Sequence, residues 1–486
     1  MKRVIDLEQR NYKNTQTFGY TKDVLPTLKN NRTWTIRNYS TVWIGSVHNI
    51  PNYLTVGGLL TLGLSVMQVF FAIISASIIL AAVMILNGHA GSKYGLPFSM
   101  LLRSSYGHNG ALIMGVMRGI IAAIMWFGLQ TFAGSQALLI LIGKTWPPFL
   151  QLGGAWQLLG LSLPQLISFI LFWCLNIAFI FGGMSLLSKF SNVLSPLVYL
   201  VFGGMTIWAI QLAGGIGPII HHQGSEPNLN ELVLLLSAIT AILAAWAAPM
   251  VSISDFTRMA RSQKDQAIGQ ALGLIIPYIL FAFSSISIII GSEIAFGTPI
   301  WNVLDVINRF DNEFAIGLAV LTLCLTTVSV NVTGNIIPAG YQLAALFPKR
   351  LNLSSGAMIA AVLGIIIMPW KLMENAGSIL IFLNSIGAIL GPLTGVMLAH
   401  YFIIARTEID LNALYSKSET YHYLNGFNVK ALISTGAAGT LCLLGQFISF
   451  FNPLYQISWI AGTGMAAALY ILFELPKLSS SNHQHM

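Results

Sequence analysis

Charged residues are scarce in this sequence. Asp, Glu, Lys and Arg make up 8% of its 486 residues, whereas an average soluble domain has roughly a quarter. Apolar residues make up 55% of the chain. This composition excludes a soluble globular domain and predicts a protein that is embedded in lipid.

Cysteine and the common catalytic motifs are also scarce. The three cysteines, Cys174, Cys324 and Cys442, lack the spacing of a disulfide framework or a metal site, so we interpret them as packing residues. The HExxH, GxSxG and P-loop motifs are absent, and no pair of acids lies within an apolar segment. The sequence therefore predicts neither an enzyme nor a bound cofactor. The first forty residues are polar and basic, which predicts no cleavable signal peptide.

Long apolar runs, in contrast, are abundant. Twelve segments have the roughly 20 mostly apolar residues that a helix needs to cross a bilayer. The sequence thus predicts an all-α integral membrane protein with an N-terminal tail (1–40), a twelve-helix domain (41–475) and a C-terminal tail (476–486). The predicted spans lie near residues 41–62, 66–87, 110–143, 160–183, 191–214, 230–252, 268–294, 314–345, 354–370, 376–405, 430–450 and 456–475.

The basic residues are distributed asymmetrically along the chain. With a cytoplasmic N-terminus, all 24 Lys and Arg residues except Arg118, Lys144, Arg309 and Lys371 fall in cytoplasmic segments, as the positive-inside rule expects. We place Arg118 at the cytoplasmic start of the third span. An even number of spans returns the C-terminus to the cytoplasm. The net charge of +8 therefore indicates orientation in the plasma membrane and not nucleic-acid binding.

Two of the spans are interrupted. Trp43-Ile-Gly-Ser-Val-His-Asn-Ile-Pro51 breaks the first, and Ala244-Ala-Trp-Ala-Ala-Pro249 breaks the sixth. Backbone groups freed within hydrocarbon must be satisfied inside the protein, so such breaks line cavities, as they do in transporters. The first and sixth spans are corresponding members of two halves. Spans 1–5 and 6–10 thus predict a five-plus-five inverted repeat, with the last two spans outside it.

Polar and aromatic side chains accompany these breaks. Trp126 and Gln130 lie four residues apart on one face of the third span. Asn49 lies at the first break, Trp246 at the second, and Asn335 on the eighth span. Two indoles and several amides suit a flat, neutral heterocycle that stacks on the rings and hydrogen-bonds the amides. No charged residue lies in the middle of a span to hold an amino-acid substrate.

Each of these residues also has a structural alternative. A single tryptophan in a membrane helix is often a packing residue or an interface anchor. Asn331, Asn176 and Asn384 equally suit hydrogen bonds between neighbouring helices. His48 equally suits a bond to a backbone carbonyl freed at the first break. The occurrence of such residues together on four spans favours a binding site.

Eight motifs occur between about Asp23 and Tyr423. They are Arg32-Thr-Trp34, Asn87-Gly-His-Ala-Gly91, Lys93-Tyr-Gly-Leu-Pro97, Trp126-Phe-Gly-Leu-Gln-Thr131, Asp255-Phe-Thr-Arg258, Asn335-Ile-Ile-Pro338, Pro369-Trp-Lys371 and Gly391-Pro-Leu-Thr-Gly395. Through them the chain resembles the nucleobase–cation symporter family of cytosine/purine, uracil, thiamine, allantoin and hydantoin permeases. It is most similar to bacterial allantoin permeases, at His48-Asn-Ile-Pro51, Phe132-Ala-Gly-Ser135 and Leu197-Val-Tyr-Leu-Val-Phe-Gly-Gly204.

The resemblance implies a leucine-transporter-like fold and transport by alternating access. It implies a substrate site of two stacking rings, three hydrogen-bonding amides and one backbone segment, namely Trp126, Trp246, Gln130, Asn335, Asn49 and Ala245. In sodium-coupled members the cation lies between the first and eighth helices. The matching positions here are Gly45, His48, Thr326, Ser329 and Val330.

Several positions depart from the family pattern. Val330 replaces a hydroxyl that would bind sodium, so one oxygen ligand of that cation is missing. We therefore favour protons over sodium as the coupling cation, with His48 as the titratable group in the core. Ala245 replaces a common glycine, His400 replaces an aspartate, and Ser252-Ile-Ser254 stands where Asn-Ile-Pro is usual.

We therefore expect a secondary active importer of a neutral ureide or nucleobase, with allantoin first and uracil, cytosine, hydantoin and thiamine as alternatives. Closure of the tenth helix, with Asn384, Gly391 and Pro392 as flexible points, would occlude the site. A sodium–amino-acid symporter of the same fold, a passive channel or receptor, and a membrane-embedded enzyme are the rival interpretations. The sequence leaves the oligomeric state open, and a monomer is sufficient.

Overall fold

Helices form nearly all of the structure. The computed structural model describes residues 20, 22–222, 230–298, 300–310, 312–347, 350–368, 370–371, 376–416 and 419–482. Residues 1–19 and 21 of the predicted N-terminal tail and 483–486 of the predicted C-terminal tail lie outside the described residues. Within the described ranges the strands form one short antiparallel hairpin, β1 (Gln157–Leu158) with β2 (Leu161–Ser162).

The described residues form twenty α-helices. They are α1 (Ile36–Val47), α2 (Ile50–Thr61), α3 (Val66–Tyr94), α4 (Phe98–Gly115), α5 (Ala123–Thr145), α6 (Leu163–Leu212), α7 (Ile216–Ile220), α8 (Glu231–Ala245), α9 (Ala247–Ser252), α10 (Ser254–Thr257), α11 (Gln263–Phe296), α12 (Val303–Ile307), α13 (Glu313–Val330), α14 (Ile337–Leu346), α15 (Leu353–Ile366), α16 (Ala376–Leu398), α17 (Leu411–Tyr415), α18 (Val429–Leu444), α19 (Asn452–Gln456) and α20 (Ser458–Asn482). Three π-helical turns adjoin them: Val116–Ala122, Asn331–Ile336 and Ala399–Ile404.

Seven helical segments within the described residues are long and apolar enough to cross a bilayer. The number is eight if the bent pair Val429–Leu444 and Ser449–Gln456 is one span. Three shorter apolar helices, Leu163–Phe179, Glu231–Ala245 and Leu353–Ile366, cover further predicted spans. The all-α membrane fold is confirmed, while the count of twelve spans stays a prediction.

The fourth and fifth predicted spans both fall in α6. The one proline that lies beyond the first turn of α6 is Pro196, within the fifth predicted span. Among the cysteines, Cys324 and Cys442 are buried, as expected of packing residues, whereas Cys174 on α6 is exposed.

A helix precedes the third predicted span: α4 begins at Phe98, and Gly107 within it has non-helical backbone, with φ 79° and ψ 173°. At the start of α4, the Oδ1 atom of Asp255 accepts a hydrogen bond from the backbone N–H of Phe98 at 2.9 Å. No local sequence signal marks this start, because the carboxylate that caps the helix comes from a distant part of the chain. The expected position of Arg118 at the cytoplasmic start of the span stays a prediction. Arg118 lies in the π-helical turn Val116–Ala122, well inside the helical segment, and is fully buried.

The first predicted break is present in the structure. His48 and Asn49 separate α1 from α2. Pro51 has no N–H to donate to the carbonyl of Val47, and the side-chain amide of Asn52 donates to that carbonyl at 2.8 Å instead. Asn49 caps α2, because its Oδ1 atom accepts from the backbone N–H of Asn52 at 3.0 Å.

The second predicted break is also present, and it is shorter. Trp246 alone separates α8 from α9, with φ −104° and ψ 2°. Pro249 on α9 has no N–H, so the carbonyl of Ala245 lacks its helical donor. The missing N–H groups of Pro51 and Pro249 therefore account for the backbone carbonyls that lack a helical donor at the two breaks.

The broken helices lie at the centre of the molecule. α1 packs along α11, and α8 and α9 pack between α3 and α16. Gly273 permits the close approach of α11 to α1, since a Cβ atom there would lie 2.7 Å from the Cα atom of Ser40. His48, Asn49 and Trp246 are each at most 5% exposed, so surrounding helices shield both breaks from lipid.

Candidate functional site

A cavity lies between the two helix breaks. It contains about 430 Å³ of space not occupied by atoms, of which about 30 Å³ is open to the centre of a water molecule. Its lining comes from both broken helices, from α5 and from the turn after α13: Trp43, Ser46, Asn49, Asn52, Trp126, Gln130, Ala245, Trp246, Pro249, Val330, Thr333, Gly334 and Asn335. All six residues of the predicted substrate site line this one cavity, and none of its lining residues is charged.

Trp126 and Gln130 present unpaired polar atoms on α5. The indole Nε1 of Trp126 and the side-chain oxygen Oε1 of Gln130 are buried and have no hydrogen-bond partner among the described residues. A buried polar group without a partner costs about 1–3 kcal/mol, so such groups usually meet a ligand or water. The ring of Trp126 also packs edge-on against Phe382 of α16, with ring centroids 5.0 Å apart.

Trp246 is held by a hydrogen bond to a neighbouring helix. Its indole Nε1 donates to the hydroxyl of Tyr278 on α11. The amide of Asn52 also approaches this hydroxyl, at 3.4 Å. The ring of Trp43 packs edge-on against Trp246 with centroids 5.8 Å apart. These contacts limit the orientations available to the indole of Trp246.

Asn335 lies at the end of a chain of amide hydrogen bonds. Its Nδ2 donates to Oδ1 of Asn331 at 2.8 Å, and Nδ2 of Asn331 donates to the hydroxyl of Thr131 on α5 at 3.0 Å. Asn331 thus bridges two helices, as its structural alternative predicts. One N–H of Asn335 is engaged, so its carbonyl oxygen and its second N–H are the groups that it can offer to the cavity.

The side chains of Asn49 and Asn176 form hydrogen bonds with backbone groups that are close to them in the chain. Asn49 caps α2, and its Nδ2 donates to the carbonyl of Ser46 at 2.6 Å, so both polar ends of its side chain already have backbone partners. Nδ2 of Asn176 donates to the carbonyl of Phe172 on its own helix at 2.8 Å. For Asn176 this bond replaces the expected bridge to a neighbouring helix.

The predicted cation positions come together only in part. A Cβ atom at Gly45 would lie 3.7 Å from Oγ of Ser329, and that hydroxyl is buried without a partner in the described part of the chain. The hydroxyl of Thr326 donates to the carbonyl of Leu323 on its own helix at 3.0 Å. Val330 lines the cavity between the two breaks.

His48 packs away from the contact between α1 and α13. Its Nδ1 atom is hydrogen-bonded to the carbonyl of Ile44 at 3.1 Å, as the structural alternative predicts. Its ring packs edge-on against Tyr199 and Phe202 of α6 and Phe281 of α11. In the described residues no group of three or more His, Cys, Asp or Glu side chains could hold a metal ion.

The predicted gate residues lie along α16. The carbonyl of Asn384 accepts from the hydroxyl of Ser458 at 2.7 Å, and that of Gly391 accepts from Thr463 at 3.0 Å. Both donors belong to α20, and Pro392 lies within the continuous helix α16. Further along this segment His400 is hydrogen-bonded to the hydroxyl of Tyr470 on α20 at 2.9 Å. Any bending of α16 would therefore change its contact with α20.

Several cavity residues were not predicted from the sequence. Trp43, Ser46, Asn52 and Thr333 lie within one helical turn of predicted residues, so helical spacing could have indicated them. Tyr278 lies on the seventh predicted span, where no site residue was expected. No sequence signal connects it with Trp246.

A profile of the family of permeases for cytosine/purines, uracil, thiamine and allantoin matches residues 26–462 of this chain. The chain belongs to this permease family. It is 53% identical over 462 residues to a putative allantoin permease of Escherichia coli, a match that covers 94% of this chain and 95% of the relative. It is 45% identical over 452 residues to the allantoin permease of Bacillus subtilis, covering 93% and 92% of the two chains.

Solved structures support the fold. A nucleobase-cation-symport-1 family transporter, determined in a closed conformation with bromovinylhydantoin bound, superposes with a TM-score of 0.78. The match covers 93% of this chain and 94% of the other, at 24% identity, so it shows the fold alone. The family membership and the fold together identify the protein as a membrane transporter of the nucleobase and ureide class and not as an enzyme.

Proposed function

We propose that the protein imports allantoin, or a closely related neutral ureide or nucleobase, across the plasma membrane by alternating access. One observation carries the substrate class: Nε1 of Trp126 and Oε1 of Gln130 lack partners among the described residues and belong to side chains that line an uncharged cavity. An N–H donor and a C=O acceptor on one helix face complement the C=O and N–H groups of a cyclic amide or ureide. Within that class, the names of the two bacterial relatives favour allantoin.

The proposed site uses five side chains. The rings of Trp126 and Trp246 stack on the solute, while Gln130 and Asn335 hydrogen-bond it. The engaged N–H of Asn335 supports a role for its oxygen as an acceptor. Asn49 acts mainly by holding the start of α2 at the cavity, because its polar atoms have backbone partners.

Backbone at the second break completes the proposed site. The carbonyl of Ala245, which Pro249 leaves without a helical donor, accepts a solute N–H. The narrowness of the cavity supports a flat solute that enters when the lining moves. Phe382 covers Trp126, so movement of α16 at Asn384, Gly391 and Pro392 is the proposed opening step.

We infer proton coupling in preference to sodium coupling. The cation positions between α1 and α13 offer the hydroxyls of Ser329 and Thr326 and the backbone near Gly45 and His48. Val330 contributes no oxygen there, and hard cations such as sodium need several oxygen ligands. Both termini are cytoplasmic in this proposal, and a single chain is sufficient because all proposed residues belong to one chain.

Uptake by cells that express the chain tests the substrate. Accumulation of radiolabelled allantoin is measured with and without excess unlabelled allantoin, uracil, cytosine, hydantoin or thiamine. We expect allantoin to accumulate unchanged against its gradient and to compete most strongly. Equilibration without accumulation would indicate a channel, conversion of the label would indicate an enzyme, and amino-acid uptake would indicate the same-fold symporter.

Single substitutions in the same assay test the site. Trp126→Ala and Gln130→Ala are expected to abolish uptake while the amount of protein in the membrane stays unchanged. Trp156→Ala and Gln151→Ala are matched controls, because both residues are exposed and lie outside the cavity. Normal uptake by the Trp126 and Gln130 variants would contradict the proposed site.

A further inference from the structure

A fully buried arginine lies beside the cavity. Arg118 has no exposed surface and lies in the π-helical turn Val116–Ala122. Its guanidinium donates to the carbonyl of Ala248, to Oγ of Ser252 at 2.7 Å and to the carbonyl of Gly334 at 3.1 Å. All three acceptors are uncharged. A buried cation without a hydrogen-bonded carboxylate is costly, so this position requires an explanation.

The acceptors belong to two irregular segments of the cavity wall. Ala248 and Ser252 lie on α9, the second half of the broken sixth span. Gly334 lies in the π-helical turn between α13 and α14. Gly334 and Pro249 both line the cavity. The planar guanidinium of Arg118 therefore joins two segments that contribute to the cavity lining. We call these four residues (Arg118, Ala248, Ser252 and Gly334) the floor of the cavity; Gly334 lines it and the other three lie behind the lining.

Polar atoms next to this floor lack partners. Within the described residues the buried unpaired atoms include Nη1 of Arg118, Oγ of Ser99, Oγ of Ser254, Oδ2 of Asp255 and Nε2 of Gln342. Gln342 packs on the helix that carries Arg118, since a Cβ atom at Gly115 would lie 2.5 Å from its Oε1 atom. Water that entered this region would satisfy all of these groups. The hydrogen bonds of Arg118 therefore keep the floor closed, whereas the unpaired polar atoms next to the floor favour the entry of water.

We propose that Arg118 is a positioning residue for transport that closes the floor of the cavity by holding α9 against the turn Asn331–Ile336. Transport then requires Arg118 to release Ala248 and Ser252 each time the site opens toward Asp255, and to bind them again when it closes. The inference rests on transport as the activity, and it does not depend on which solute is carried.

A reporter cysteine at the floor measures this opening directly. Ser254→Cys introduces a thiol at a buried position whose hydroxyl has no partner in the described structure. Cys174→Ser removes the exposed native cysteine, and the other two native cysteines are buried. The rate at which N-ethylmaleimide labels the reporter is measured in inside-out vesicles, without any solute. Failure of the protein to carry allantoin would therefore leave this test valid.

Substitutions at the floor should raise the labelling rate in a graded series. Arg118→Gln removes the charged donor of three hydrogen bonds, and we expect labelling to rise roughly tenfold, because each bond contributes a factor of about two to three. Arg118→Lys keeps the charge but not the planar fork, so its rate should lie between those of Arg118→Gln and the parent. Ser252→Ala removes one acceptor and should raise labelling roughly threefold.

Lys144→Gln is the matched control for loss of a positive charge, because Lys144 is exposed in the last turn of α5, and its labelling rate should equal that of the parent. A merely structural role for Arg118 would reduce the amount of inserted protein without changing the labelling rate of what remains. Parental labelling of inserted Arg118→Gln would overturn the proposal. If that variant does not insert, Ser252→Ala decides: a roughly threefold rise supports the proposal and a parental rate overturns it.

Discussion

One substitution at Gln130 should raise the stability of the empty protein and weaken its binding of the solute. Its side-chain oxygen is buried without a partner in the described structure, at a cost of about 1–3 kcal/mol in the empty protein. Gln130→Met keeps the length of the side chain and removes this oxygen. We expect the empty variant to be more stable by about 1 kcal/mol, which corresponds to a rise of roughly 2 °C in melting temperature.

The same substitution should weaken solute binding. Methionine cannot accept the N–H of a bound ureide, and loss of one hydrogen bond with an unpaired partner left behind costs about 1–3 kcal/mol. The dissociation constant of allantoin should therefore rise roughly tenfold or more. This combination is typical of a functional site, where a polar group is retained for binding at a cost in stability.

Two measurements on purified protein in detergent check this prediction. Thermal unfolding without solute gives the stability change, and quenching of tryptophan fluorescence by allantoin gives the dissociation constant. Gln151→Met is the control, because Gln151 is exposed and should leave both quantities unchanged. A lower melting temperature with an unchanged dissociation constant would refute the reasoning and make Gln130 a packing residue.

Three further substitutions test other parts of the structure. Tyr278→Phe leaves the buried indole N–H of Trp246 without its acceptor. We therefore expect the free energy of unfolding to fall by about 1–3 kcal/mol and allantoin to bind more weakly. An unchanged dissociation constant would show that this hydrogen bond does not orient the ring of Trp246. Val330→Thr supplies the hydroxyl that sodium-coupled relatives have at this position. We expect external sodium to stimulate uptake by this variant at constant pH. Equal stimulation of uptake by the parent protein would contradict proton coupling. Burial raises the pKa of Asp255 to about 6. The native carboxyl then binds its proton more tightly than the unfolded one, so stability falls by up to about 3 kcal/mol as the pH rises from about 4 to 6. Asp255→Asn should flatten this slope in melting temperatures measured across that range, and an unaltered slope would assign it to other groups.

The gate illustrates how a sequence prediction is refined by packing. Gly391 and Pro392 are predicted flexible points of the tenth helix. In the structure α16 is continuous through them, and Gly391 serves close packing, since a Cβ atom there would lie 2.7 Å from the carbonyl oxygen of Trp459 on α20. Their role as a gate stays a prediction. It now includes a specific requirement, which is that α16 must slide or bend against α20.

Much of the candidate site could be predicted from the sequence because its residues are fixed by local spacing. Trp126 and Gln130 share a helix face wherever that helix lies, and Asn335 follows Asn331 by one turn. His48 shows the limit of this reasoning. Its place at the break was predicted, but its ring turned toward the aromatic residues of α6 and α11, and only the packed structure shows which neighbours surround it.

The sequence by itself determined that the chain spans a membrane and where two of its helices break. Those features depend on the composition of each segment and on prolines such as Pro51 and Pro249, which lack an N–H in any context. Only the tertiary structure decided which groups satisfy the interior. Asp255 caps a helix that begins at Phe98, and Arg118 joins two segments that contribute to the cavity lining, since a buried polar group is paired by whatever distant segment packs against it.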